Sequence, residues 1–384
     1  MRNIILQIVL VLGVCAGARA QFNSGSNSSD GAFNPATNTV INMADHPTGI
    51  YQYTSVNISN GVTVTFIPNA NNTPVTWLVQ SNCEIDGTVD VSGQSPSGYG
   101  FLIAGAGGPG GWAGGNAGSN PSAGQGPGGG FAGGGSGSGG SFGSLGANYG
   151  LDGPIYGNSF LIPLIGGSGG GGDNTGFDIS GGGGGGAILI AASNIVLNGL
   201  INSQGGGLNR SYILGGGSGG AVRLVGLNVS GTGQINTIGG VSGSAAGGLG
   251  RIRIDAFQNT FGGTTIGVFT QGYQPIIIPV AEQGIQLSIA SVAGAAVSAT
   301  PTGQLVTPDA IISGQQANPI PIVVSCANLP LNTLITVTVT PANGSSVSAV
   351  GYNTSGTLAS STATVSLTMP RGGGIIYATA STSN

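Results

Sequence analysis

The stretch GGGGGGAILIAASNIVLNGLINSQGG (Gly181–Gly206) returns 34 residues later as GGGSGGAVRLVGLNVSGTGQINTIGG (Gly215–Gly240). The two copies align without a gap, so that Ala187 falls on Ala221, Asn194 on Asn228, Gly199 on Gly233, Ile201 on Ile235 and Asn202 on Asn236. A third copy opens at GRIRIDA (Gly250–Ala256). An earlier one is VTWLVQSNCEIDGTVDVSG (Val75–Gly93), in which Asn82 and Gly87 hold the offsets of Asn194 and Gly199. Short apolar strands joined by glycine and repeated at a fixed spacing are the pattern of a stacked, solenoidal β structure.

Within each copy, alternation with a period of two decides which side chains face inward. Ile188, Val222 and Ile252 form one inward column, and Ile190, Leu224 and Ile254 another. Leu189, Arg223 and Arg253 then point outward, with Trp77 in the same column of the early copy. Parallel rungs lie about 4.8 Å apart, so identical residues stack into ladders. Asn82, Asn194 and Asn228 are expected to form an asparagine ladder at a turn, where an amide bonds backbone and neighbouring rungs. Gly87, Gly199 and Gly233 are expected to give the backbone freedom for the bend that follows.

On either side of this repeat the chain changes character. MRNIILQIVLVLGVCAGARA (1–20) has an early arginine, an apolar run and a small-x-small site, the pattern of a signal peptide. The expected destination is secretion or the cell surface, with no membrane span elsewhere. Residues 21–50 are polar and turn-rich and read as a cap on the first rung. The stack is assigned to 51–280. It is interrupted by a glycine-rich insertion at about 104–186 that holds 37 glycines among scattered aromatic residues. That composition leaves two arrangements open: a flexible excursion, or compact segments of polyproline-II type laid on the stack. From 281 to 384, short Val/Thr/Ile strands separated by turn signals describe an immunoglobulin-like β-sandwich. The fold class expected is therefore all-β: a parallel β solenoid with a long Gly-rich insertion, followed by that sandwich; its reading as a right-handed parallel β-helix rests on the resemblance given below.

Composition narrows the chemistry. Charged residues are 5% of the chain, lysine is absent, and His46 is the single histidine. After the leader, only Arg210, Arg223, Arg251, Arg253 and Arg371 remain against 11 acidic residues, which excludes a basic surface for nucleic acid. No histidine follows residue 46, so a serine elbow has no downstream base, and no lysine exists for a phosphate-binding loop. Cys83 aligns with Ile195 and Val229 and reads as a buried apolar residue; its pairing with Cys326 is left open.

VTVTF (62–66), CEIDGTVDVSG (83–93), the glycine-rich insertion, GGAILIAASNIVLNGLINSQGG (185–206), GGAVRLV (219–225) and GGLGRIRIDA (247–256) follow one another in an order that resembles a broad group of exported bacterial proteins. These are similar to right-handed parallel β-helices of the pectin-lyase-like type. NLPLNTLITVTVTPANG (328–344) with GTLASSTATVSLTMP (356–370) resembles the domain that often follows in that group. The resemblance implies the fold and carries no established activity.

Two constellations are candidates for chemistry. Glu84, Asp86 and Asp90, with Ile85, Val89 and Val91 turned inward, are expected to share the outer face, as a possible calcium site, an acid–base pair, or simply a solvated surface. Arg223, Arg253 and Asp255 are expected on one outward face, where stacked like charges need a carboxylate or a bound anion or sugar acid between them. No other cofactor is implied. The function expected is a non-enzymatic secreted or cell-surface protein with a structural or adhesive role. Its expected partners are extracellular polysaccharide or cell-surface components, with self-association into matrix or fibres as a further possibility. The alternative is a carbohydrate-binding or carbohydrate-active β-helix, lyase- or hydrolase-like.

Overall fold

The computed structural model describes residues 23–132, 137–147, 153–174, 179–208, 215–241, 243, 245–273, 285–297, 301, 308–341, 345–369 and 374–380. The leader at 1–20, residues 274–280 at the end of the span assigned to the stack, Arg210 and Arg371 lie outside the described residues. The fold is all-β with parallel sheets. Among the described residues, no helix is long and apolar enough to cross a membrane.

In chain order the first strands are β1 (Gly31–Phe33), β2 (Thr39–Asn42), β3 (Ile50–Ile58), β4 (Thr63–Ile67), β5 (Val75–Val79), β6 (Asn82–Ile85) and β7 (Thr88–Asp90). After the insertion come β8 (Ala187–Leu197), β9 (Leu200–Asn202), β10 (Ala221–Ser230), β11 (Gln234–Asn236), β12 (Arg251–Asn259), β13 (Thr264–Ile266) and β14 (Val268–Gly272). They divide between two sheets. The first runs β1-β3-β5-β8-β10-β12-β14, with β6 also between β3 and β8, and the second runs β13-β11-β9-β7-β4-β2. Every pairing in both is parallel. Each coil passes along a first-sheet strand and turns into a second-sheet strand; after β7, β9 and β11 the return is rich in glycine, whereas 43–49 and 68–74 close the earlier coils with one glycine between them.

The register follows the sequence repeat. Ala221 lies opposite Ala187 and Arg251, and Leu224 opposite Ile190 and Ile254. The inward columns Ile188–Val222–Ile252 and Ile190–Leu224–Ile254 are fully buried in one core with Ile195, Val229, Ile201 and Ile235. Burying each such side chain contributes about 1.5–3 kcal/mol before chain entropy is set against it.

Trp77 departs from expectation. It faces inward with no exposed surface and pairs with Ile190 rather than Leu189. Its own strand continues to Asn82, which pairs with Asn194, so the early copy holds one more residue between these points than β8 does. The same offset appears on the other side, where Tyr53 lies opposite Val79 but Val56 opposite Cys83. An extra residue of this kind is a β-bulge, and one step of slip exchanges the two faces of a strand. Phe33 and Tyr53 meet the indole edge-on, with ring centroids 5.8 and 5.9 Å away.

The glycine-rich insertion is hydrogen-bonded into a third layer. Along 181–186 the backbone donors visit three neighbours in rotation: Gly181 and Gly184 reach Gly115 and Trp112, Gly182 and Gly185 reach Gly215 and Ser218, and Gly183 and Gly186 reach Gln94 and Val91. Residues 215–220 repeat the rotation towards Gly171 and Ser168, Ala245 and Gly248, and Gly206 and Ser203. A return to the same neighbour at every third residue is the mark of three residues per turn, the polyproline-II geometry. Unlike an isolated segment of that type, these satisfy their donors by packing against one another. Trp112, Phe142, Tyr156 and Leu161 pack with Ala187 and Ala221 where the layer meets the first sheet.

The remaining strands are β15 (Gln286–Val292), β16 (Ala295–Ala296), β17 (Ile320–Ala327), β18 (Leu334–Pro341), β19 (Val347–Tyr352), β20 (Ser355–Gly356), β21 (Ser361–Leu367) and β22 (Gly374–Ala380). They form antiparallel sheets of five strands, β16-β15-β17-β21-β20, and three, β19-β18-β22. Ile322, Val324, Ile335, Val337, Ala363 and Val365 are buried together in one core. Cys326 belongs to that core and Cys83 to the first; both are free thiols.

Candidate functional site

Strands β10 and β12 run side by side with Arg223 opposite Arg253, and alternation places Asp255 on the same outward face, away from the core. The carboxylate lies between the guanidinium groups. Arg223 donates from Nε and Nη2 to Asp255 Oδ2 at 3.1 and 2.9 Å. Arg253 donates from Nε to Oδ1 at 2.8 Å, with its Nη2 2.6 Å from the same oxygen. Like charges on adjacent rungs are thus bridged by one carboxylate using both oxygens.

Around Asp255 this face is closed to solvent. Arg223, Arg253 and Asp255 retain 2%, 9% and 3% of their surface. Segment 153–165 lies against this face at Arg253: Ser159 O accepts from Thr270 Oγ1 at 2.8 Å, and the Phe160 ring lies 4.9 Å from the Arg253 guanidinium carbon. Gly272 closes the far side, since a methyl group there would meet Arg253 Nη2 at 2.5 Å. Burial lowers the Arg223 pKa, and the neighbouring Asp255 charge opposes that shift.

Arg251, two residues before Arg253 on the same face, completes the cluster. It donates from Nε and Nη2 to Tyr156 O at 3.1 and 2.8 Å, and its guanidinium lies 5.4 Å from the Phe142 ring centroid. Burial lowers its pKa as well. The RIRID alternation carried a signal for Arg251, because residues 251, 253 and 255 share one face of a strand. Tyr156, Ser159 and Phe160 had no such signal, as their place depends on how the insertion folds back.

The three carboxylates proposed for calcium do not converge. Glu84 is exposed on β6 in the first sheet, while Asp90 lies on β7 in the second. The chain bends between them at Asp86–Gly87, so the expected common face is divided by a corner. Asp86 Oδ1 accepts from Asn198 Nδ2 at 2.9 Å, and Asp90 Oδ1 accepts from the Ser92 amide at 2.9 Å. Among the described residues, no group of three His, Cys, Asp or Glu side chains is arranged to hold a metal ion.

The asparagines do come together. Asn194 Nδ2 donates to Asn82 Oδ1 at 2.9 Å, and Asn228 Nδ2 donates to Asn194 Oδ1 at 2.7 Å. The glycines after them serve close approach rather than an unusual backbone conformation: a methyl on Gly199 would overlap Gly87 O, and one on Gly233 would overlap Gly199 O. His46, in the cap, places Nε2 3.2 Å from Asp30 Oδ1 and stacks on Tyr51 at 4.2 Å. Compared with known proteins, the chain matches no family model, no curated protein and no solved structure.

Proposed function

We propose that the chain is a non-enzymatic structural or adhesive protein of the cell exterior. In this reading a right-handed parallel β-helix of pectin-lyase-like type spans 51–280 and carries an immunoglobulin-like sandwich at 281–384. The alternation of first-sheet strand, second-sheet strand and glycine segment supports the helix, and two antiparallel sheets around one core support the sandwich. The observation that carries the functional reading is the burial of Arg223, Arg253 and Asp255, with segment 153–165 packed on Arg253. The charged cluster that the sequence offered as a reactive face holds a strand pair and its cover together. A buried charge network of this kind suits a rigid scaffold better than a turnover site that must admit and release substrate.

The test incubates the secreted chain with neutral and acidic polysaccharides, with and without calcium, and follows both retention and new chain ends. Binding or assembly without cleavage is expected. Cleavage that disappears in Arg253→Ala, with the fold intact, would overturn the reading in favour of a carbohydrate-active enzyme.

A further inference from the structure

On the outward face of β10 and β12, two guanidinium groups share one carboxylate and a third, Arg251, lies two residues before one of them. Asp255 divides its two oxygens between Arg223 and Arg253. Arg251 receives no carboxylate: its Nε and Nη2 share the Tyr156 carbonyl, and its Nη1 makes no hydrogen bond among the described residues. Nη1 of Arg253 is also poorly matched, reaching Ser159 O only at 3.5 Å. A partly desolvated guanidinium without a counter-charge is costly, and no carboxylate among the described residues pairs with Arg251.

The geometry suits a small ligand with several oxygens. Residues two apart on a strand are separated by about 7 Å, a gap that one oxyanion with a hydrogen bond on either side can bridge. The rings of Phe142 and Phe160 lie against the guanidinium carbons of Arg251 and Arg253, at 5.4 and 4.9 Å. Aromatic rings stacked in this way leave the in-plane N–H groups free to meet an anion. Arg251 is partly exposed, so the position is reachable from solvent.

We propose that Arg251 and Arg253 together bind an oxyanion, phosphate, sulfate or the carboxylate of a sugar acid, at the edge of segment 153–165. The site differs from the set read from sequence, Arg223, Arg253 and Asp255: Asp255 is taken up between Arg223 and Arg253, and Arg251 supplies the unpaired guanidinium. The site exists only in the folded chain, so binding stabilises the fold by mass action.

The secreted chain is titrated with inorganic phosphate at constant ionic strength, with chloride as the reference, and followed by thermal unfolding and phosphorus NMR. A saturable rise in the unfolding midpoint is expected with phosphate and not with chloride. Arg251→Gln is expected to weaken phosphate binding about tenfold or more, the effect of losing a charge-assisted hydrogen bond. Arg251→Lys, which keeps the charge over Phe142 but loses the fork, serves as the second variant should Arg251→Gln not fold; a smaller weakening is expected. A uronic acid oligomer that displaces phosphate identifies an acidic polysaccharide as the source, and phosphate that resists displacement identifies a free anion. Equal midpoints in phosphate and chloride, or undiminished phosphate binding in both Arg251 variants, would overturn the proposal.

Discussion

Replacing Gly184 by alanine places one methyl group inside the glycine layer, and the structure leaves no room for it. The new Cβ would overlap Gly167 O and its carbon, and even the third-nearest atom, Ser168 N, would lie 2.8 Å away. Ordinary carbon contacts begin near 3.5 Å, so a neighbouring backbone must move by roughly an ångström. No side chain can yield, because the obstacle is a main-chain carbonyl. Overpacking of this kind costs about 1–3 kcal/mol. The shift also strains two hydrogen bonds, from Gly184 N to Trp112 O and from Gly108 N to Gly184 O, each contributing about 0.5–1.5 kcal/mol. Against this, alanine restricts the unfolded chain and stabilises by about 0.4–1 kcal/mol. The steric term wins, and a net loss of about 2–5 kcal/mol is expected. Gly262→Ala is the control: nothing lies within 4 Å of its Cβ, so only the unfolded-state gain remains. Denaturant unfolding of both variants, compared at equal m-value, measures the difference. If Gly184→Ala is as stable as Gly262→Ala, the layer is not packed as described.

Asp255→Ala leaves Arg223 and Arg253 facing each other across adjacent rungs and should lower stability by about 3–5 kcal/mol in the same unfolding assay; a loss below 1 kcal/mol would contradict a buried bridge. Asn194→Ala removes the middle of the asparagine ladder with its two hydrogen bonds, and a loss of about 1 kcal/mol is expected because the site is part-exposed. Burial, then the charges of Asp30 and Asp45, push the Tyr51 phenol up to about 12, and burial also raises Tyr53 and Tyr156. Folding therefore favours the protonated form. That stability is complete below about pH 10, where unfolded phenols begin to ionise, and is lost as the pH rises towards 12. Unfolding midpoints measured against pH should fall across that window, and a flat profile would count against the burial.

The stack was readable because its residues differ from one another. Ile188, Val222 and Ile252 alternate with outward neighbours, and alignment of the copies, 34 and then 30 residues apart, sets their register. The asparagine ladder and the Arg223–Arg253–Asp255 cluster followed from the same alignment. Trp77 escaped it because the inserted residue lies in a polar pair, Gln80–Ser81, that changes no hydrophobic spacing while reversing the strand. The glycine layer was hidden for a different reason. A period of three shows in sequence only when side chains mark it, and Gly181–Gly186 are identical on every side because every side meets backbone. The cover over the arginines was hidden with it, since Tyr156, Ser159 and Phe160 are positioned by that layer.

Amide hydrogen exchange across residues 179–187 tests most directly whether the glycine-rich insertion is a structural layer rather than a loop. Six consecutive donors, Gly181 to Gly186, are hydrogen-bonded in rotation to three different segments, and opening any one requires separating the layer. Protection comparable to that of β8 and β10 is predicted. Exchange at the rate of an unstructured chain, with the strands still protected, would contradict it.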